Sequence, residues 1–158
     1  MLGTFFKKLL FTRQFFYTDG SLEILGVGFV PLSLDFIASL EEMHSDVYPL
    51  LKEHVSKATS EHVKRLRMKF PELAEIVPQL YEVYGLGKLE LIDLDAGSKH
   101  AIVRIHESAL PHHKSNTSCS VQCGLIAGFF SGLFGAEVDA SVNKCVLKGD
   151  DYCEFLVK

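Results

Sequence analysis

The sequence predicts an α+β domain with an N-terminal helix and β-hairpin, central helices, and a C-terminal four-stranded antiparallel sheet packed on a glycine-rich helix. Three observations carry this. Asp19-Gly20 stands between two apolar runs, the strongest short-range hairpin signal in the chain. Apolar residues between Leu34 and Tyr84 recur at helical spacing. From Leu89 onward they alternate as in strands, on either side of one glycine-rich apolar stretch, Cys123 to Ala136.

Met1 to Phe11 reads as a short amphipathic helix. Its lysines lie inside the apolar stretch and no small-residue cleavage site follows, which excludes a signal peptide. Arg13 to Thr18 and Leu22 to Leu32 are expected strands flanking the Asp19-Gly20 turn. Ser33 offers an N-cap, and Leu34, Ile37, Ala38, Leu40 and Glu41 carry a helix to about His44. Val47 to Phe70 sets Leu50, Leu51, His54, Val55, Ala58, His62, Leu66 and Met68 among charged residues, a long amphipathic helix that Pro71 ends. Leu73, Ile76, Val77, Leu80, Tyr81 and Tyr84 continue with a period near four from Glu72 to Tyr84. Pro78 is positioned to kink or split this helix, and Gly85 supplies a left-handed stop.

The C-terminal half changes period. Leu89, Leu91 and Leu94 precede the turn Ala96-Gly97-Ser98, and Ala101, Val103 and Ile105 then alternate with Ile102, Arg104 and His106. A loop from Ser108 to Thr117 contains Pro111, His112 and His113. The glycine-rich helix follows at about Ser118 to Phe134, then a strand from Glu137 to Leu147, a turn at Lys148-Gly149-Asp150 and a closing strand from Tyr152 to Val157. No repeat or linker interrupts residues 1–158, so a single domain is expected.

Composition narrows the function classes. Of the 158 residues, 47% are hydrophobic and 23% charged, which fits a packed interior with a solvated surface. A net charge of -4 and a pI near 6.0 argue against a nucleic-acid partner, whose phosphates need clustered Lys and Arg. The Cys123 to Ala136 stretch is shorter than the ~20 residues of a membrane span. With no export signal the expected compartment is the cytoplasm, where clustered cysteines bind metal more often than they form disulfides.

All four cysteines fall in the last quarter of the chain, at Cys119, Cys123, Cys145 and Cys153. Cys119 and Cys123 are four apart on the expected helix and so share a face, while Cys145 and Cys153 bracket the last turn. Two helix thiols and two strand thiols make a tetrahedral zinc set that ties helix to sheet. Four separate buried cysteines, acting as small hydrophobes, fit the same spacing.

The run Cys119-x4-Gly124-x3-Gly128, followed by Cys145-x3-Gly149-Asp150-x2-Cys153-x-Phe155-x-Val157, resembles the C-terminal signature of the vinyl-4-reductase domain family. Leu10 to Pro31, with Arg13-Gln-Phe, Asp19-Gly20 and Pro31, is similar to the N-terminal segment of stand-alone archaeal members, and Gly85-x-Gly87 also fits. The resemblance implies a helix-and-sheet fold shared with TRAPP vesicle-tethering subunits, and a homodimer. In phenol-sensing members it implies zinc on the positions matching Cys119, Cys145 and Cys153, with a glutamate three residues before the middle cysteine. Val142 occupies that place here and cannot ligate. Helical spacing makes Cys123 the replacement, with Asp139, Glu137, His106, His112 and His113 as alternatives. A zinc with four protein ligands is structural.

Gly124, Gly128 and Gly132 recur every four residues, and such a stripe asks for close approach of another backbone, expected from the domain's own sheet. His54 and His62 share a helix face, which surface histidines explain as well as metal does. His106-Glu107 before Ser108 assembles no nucleophile, base and orienter set. Gly26-Val-Gly28 lacks the rest of a dinucleotide fingerprint.

Three functions follow as expectations. The first is a binding module, sensor or carrier, for a small hydrophobic or aromatic molecule, with Phe36, Tyr81, Tyr84, Phe129 and Phe130 as candidate pocket residues, although Phe is equally core filler. The second is a dimeric interaction scaffold of TRAPP-like fold, in which Phe5, Phe6, Leu9, Leu10 and Phe11 meet a partner. The third is an enzyme, such as a component of tetrapyrrole vinyl reduction, for which no cofactor motif is recognisable. Any output is expected to pass to a separate partner.

Overall fold

The computed structural model describes residues 7, 10–12, 15–18, 20–24, 27–29, 32–33, 35–37, 39, 47–66, 70–108 and 119–158. Most of the expected opening helix, including Phe5, Phe6 and Leu9, lies outside them, as does the loop bearing His112 and His113. The chain forms two compact units, Met1–Ser33 and Leu34–Lys158.

The first unit carries three strands, β1 (Phe15–Thr18), β2 (Ser21–Ile24) and β3 (Val27–Phe29), paired antiparallel in that order. Thr18 faces Ser21 across a two-residue turn whose Gly20 has φ +81°, the geometry that an Asp-Gly turn provides. The expected strand from Leu22 to Leu32 is thus two strands, with Ile24 opposite Val27.

The second unit holds two long helices, α1 (Val47–Leu66) and α2 (Phe70–Val83). Pro71, expected to end the first long helix, lies inside α2 instead. It sits in the first turn of α2, where its missing N–H costs nothing and its fixed φ suits a helix start. Pro78 is accommodated inside α2 without splitting it. Leu73, Val77 and Leu80 form the buried stripe, and Gly85 at φ +72° closes the helix, with Leu86 donating its N–H to the Tyr81 carbonyl.

A four-stranded antiparallel sheet follows, β4 (Lys88–Asp95), β5 (His100–His106), β6 (Ala140–Lys144) and β7 (Cys153–Val157), in the order β4-β5-β7-β6. Asp95 shapes the β4–β5 turn by accepting from the Gly97 N–H and the Ser98 hydroxyl. Ala101, Val103 and Ile105 alternate inward along β5 and meet Phe155 and Val157 of β7 in the core. On the opposite sheet face Glu154 receives hydrogen bonds from Arg104 at 2.7 Å and Asn143 at 2.6 Å, so a buried carboxylate is paired rather than bare.

The glycine-rich helix α3 (Ser120–Phe134) fills the space beside this sheet. Its glycine stripe does not lie on the sheet, as the sequence suggests, but on α1. A Cβ at Gly128 would stand 2.7 Å from the Lys52 carbonyl and 2.8 Å from Val55 Cβ, and Gly124 and Gly132 meet Tyr48, Leu51, Ser56 and Thr59 just as closely. Its other face turns Ile126, Phe130 and Leu133 to the core. Tyr48 and Lys52 then clamp α1 to the entry of β6. Tyr48 Oη donates to Asp139 at 2.7 Å, and Lys52 Nζ donates to Asp139 at 2.6 Å and Glu137 at 3.1 Å. Among the described residues no helix is long and apolar enough to cross a membrane.

Candidate functional site

Three of the four cysteines converge where the start of α3 meets the β6–β7 turn. Cys119 precedes the first helical residue and adopts a left-handed conformation, φ 55° and ψ 28°. The expected arrangement, Cys119 and Cys123 on one helix face, is therefore corrected: Cys123 lies in the first turn of α3, whereas Cys119 is swung off the helix. The Cys119 carbonyl still accepts the Cys123 N–H at 2.9 Å. A non-glycine residue at positive φ is uncommon enough to need a cause. Here the Cys119 thiol reaches Cys145, with 3.2 Å between the sulfurs, and also hydrogen-bonds Cys153.

The β6–β7 turn presents its two sulfurs through backbone hydrogen bonds. The expected long strand ends at Lys144, and Val146–Lys148 forms a short 3-10 turn with Gly149 at φ +93°. Asp150 anchors it by accepting the Cys145 N–H at 2.8 Å, while the Val146 N–H is donated to the Cys153 sulfur. The hydrogen bond from Cys119 holds the Cys153 thiol below the ordinary thiol range, against the opposing effects of burial and the Asp150 carboxylate. The same contact, with burial, pushes Cys119 up.

All four cysteines are buried, and none is in a disulfide. Thiolates around a tetrahedral zinc stand roughly 3.8 Å apart, from bond lengths of ~2.3 Å. The Cys119–Cys145 pair is tighter than that, and among the described residues no three His, Cys, Asp or Glu side chains are spaced to hold a metal as they stand. The donor type fits zinc, and the spacing would have to widen. Of the alternative fourth ligands, Asp139 and Glu137 engage Lys52, His106 meets Glu90 at 3.2 Å and the Tyr152 ring, and His112 and His113 lie outside the described residues. Val142 faces Phe155 across the β6–β7 ladder.

Beside the thiols lie buried polar groups. The Tyr81 hydroxyl, near the end of α2, is driven to a high pKa by burial and then by the neighbouring Cys153 and Cys123. It has no hydrogen-bond partner among the described residues. Gln122, 1% exposed in the first turn of α3, donates one end of its amide to the Ser108 hydroxyl, and its Oε1 has no partner among the described residues. Gly87 brings the α2–β4 connection onto the same backbone, since a Cβ there would stand 3.0 Å from Ser108 Cα. Sequence reasoning missed Gln122 and Ser108. The available signal was a lone amide in an otherwise apolar helical run from Val121 to Phe130.

Of the candidate pocket residues, Phe130 is fully buried and Tyr81 and Phe129 pack against the same core, whereas Tyr84 is partly exposed and Phe36 is 49% exposed. Phe129, Phe130, Phe134 and Phe70 form a ring cluster with centroids 5.5–5.8 Å apart. A separate open groove of about 980 Å³ runs between α1 and the C-terminal end of α3. Its walls mix apolar side chains, among them Val63, Leu133 and Phe134, with Lys52, Glu53, Lys57, Lys64 and Glu137, and it lies open to solvent rather than enclosing a guest.

Residues 102–158, which contain every cysteine, match the vinyl-4-reductase domain family. The chain is 27% identical over 94 residues, 57% of its length, to uncharacterized protein MJ0150 of Methanocaldococcus jannaschii, and spans about half (54%) of that relative. Among solved structures, the phenol-responsive sensory domain of the transcription activator PoxR, crystallised with phenol, covers 100% of this chain and 91% of its own length with a TM-score of 0.74 and 17% identity. A vinyl-4-reductase family protein of Methanocaldococcus jannaschii has a TM-score of 0.54 over 82% of this chain and 83% of its own, at 14% identity. A trafficking protein particle complex subunit 3 from Naegleria fowleri, covalently bound to palmitic acid, has 0.51 over 78% and 88%, at 16% identity. At these identities the shared property is the fold.

Proposed function

We propose that this chain, whose residues 102–158 match the vinyl-4-reductase domain family, is a binding domain, sensor or carrier, for a small hydrophobic or aromatic molecule. The observation that carries this is the likeness over the entire chain to a phenol-responsive sensory domain. The interior supports it: aromatic and aliphatic side chains with a few buried polar groups among them are the usual lining of a small-molecule site. The test is a set of thermal melts with a panel of small aromatics. A ligand at a hundred times its Kd adds ~2.7 kcal/mol, a rise of about 5–10 °C for a chain of this size. A panel that leaves every melt unmoved would instead favour the interaction scaffold.

The same reading assigns one zinc to Cys119, Cys145 and Cys153, with Cys123 as fourth ligand. Support comes from three buried thiols in mutual contact and from Cys123 and Cys153 both neighbouring the Tyr81 hydroxyl. Bound zinc supplies a structural tie. The residues themselves fix its consequence: Cys119 pins the start of α3, and Cys145 and Cys153 pin the β6–β7 turn. A homodimer completes the proposal. Phe11 is 91% exposed and Tyr17 72%, and exposed aromatics on one small unit call for a covering surface.

A further inference from the structure

The buried interior beside the thiols contains two polar groups with no hydrogen-bond partner among the described residues, the Tyr81 hydroxyl and the Gln122 Oε1. A hydroxyl or amide oxygen left unpaired in the interior costs free energy, so each orphan needs an explanation. The two belong to one region. Tyr81 neighbours Cys153 and Cys123. Cys123 follows Gln122 in α3, and Cys153 pairs with Ile105, three residues before the Ser108 that holds the other end of the Gln122 amide. Gly87, six residues past Tyr81, touches that same Ser108 backbone.

We infer that Tyr81 and Gln122 are the polar anchors of the ligand, and that they select an apolar molecule bearing a hydroxyl group. This rests on the small-molecule reading above and adds its specificity. With the Gln122 amide nitrogen given to Ser108, its Oε1 can only accept, so the guest must donate to it. The Tyr81 hydroxyl is free to donate to the guest's oxygen. A hydroxyl serves both, a carbonyl or ether serves Tyr81 alone, and a hydrocarbon serves neither. A site built to pair with a hydroxyl discriminates far more strongly against the analogue lacking it than an apolar pocket does between near-isosteres.

The experiment is calorimetric titration of the full chain with three shape-matched pairs: phenol and toluene, 1-naphthol and 1-methylnaphthalene, 1-octanol and nonane. The wild-type protein should bind the hydroxyl member of at least one pair more tightly by roughly 100-fold. Tyr81→Phe should lose at least tenfold of that preference, weakening the hydroxyl member more than its hydrocarbon partner, and Gln122→Met should do likewise. Because Tyr81→Phe removes an unpaired buried hydroxyl, its unliganded melting temperature should hold or rise. A preference untouched by both substitutions, or a Tyr81→Phe protein that melts lower without ligand, overturns the anchor assignment and leaves the binding reading standing. Equal affinity within every pair overturns it too. Failure of all six probes to bind counts against the binding reading, and the anchors fall with it.

Discussion

At the scale of single residues, the four cysteines do not have equal standing. Cys119, Cys145 and Cys153 touch one another, and Cys119 accepts an unfavourable backbone conformation to do so. Under the zinc proposal, Cys145→Ser or Cys153→Ser should drop bound zinc well below one per chain and cost ~3 kcal/mol or more, the scale of loss that accompanies removal of a metal site. Cys123→Ser should cost less. Elemental analysis with thermal melts checks both, and a fully folded, zinc-free wild-type protein would contradict the assignment. Spacing alone left a shared site and four separate buried thiols open, since separations of 26 and 8 residues do not show that the chain brings them to one corner, and the family resemblance supplied the preference. The geometry at Cys119 was not legible. A helical i, i+4 pattern carries no information about which residue sits just outside the helix, and only the pull of a distant turn places that residue in the left-handed region.

At the scale of elements, the defining contact is α1 against α3, where three glycines let one helix lie on the backbone of the other. Gly128→Ala gains ~1 kcal/mol in helix propensity. Its Cβ has no room against Lys52 and Val55, so the net effect should be a loss of ~1–2 kcal/mol, read in a urea melt. A stabilised variant would show that the helices separate more easily than this packing implies. The glycine stripe announced a close approach in the sequence but not its partner. Tyr48, Leu51, Val55 and Thr59 make a stripe on α1 that reads equally well as facing any core, and only the tertiary arrangement decides. Strand content, turn positions and the helix–sheet alternation were legible because Asp19-Gly20, Gly85 and Lys148-Gly149-Asp150 are local signals that need no tertiary context. The expected single strand from Leu22 to Leu32 is interrupted between β2 and β3, beside the Gly26-Val-Gly28 pair whose strand-turn character was the local signal in an otherwise largely apolar stretch.

At the scale of the whole molecule, the account predicts a homodimer that binds a small apolar molecule within each chain. Light scattering at micromolar concentration should give twice the chain mass of 17.6 kDa, and a clean monomer would remove the covering surface proposed for Phe11 and Tyr17. The central claim is the interior binding site, and its location can be read directly. The measurement is a ¹⁵N amide NMR titration of the full chain with phenol. Saturable shifts are expected at Tyr81 to Gly87, Ile105 to Ser108 and Cys119 to Ala127, the segments that carry or adjoin Tyr81, Ser108 and Gln122. Saturable shifts confined instead to the open groove lined by Lys52, Lys57, Lys64 and Phe134, or no saturable shift at any amide, would contradict the account.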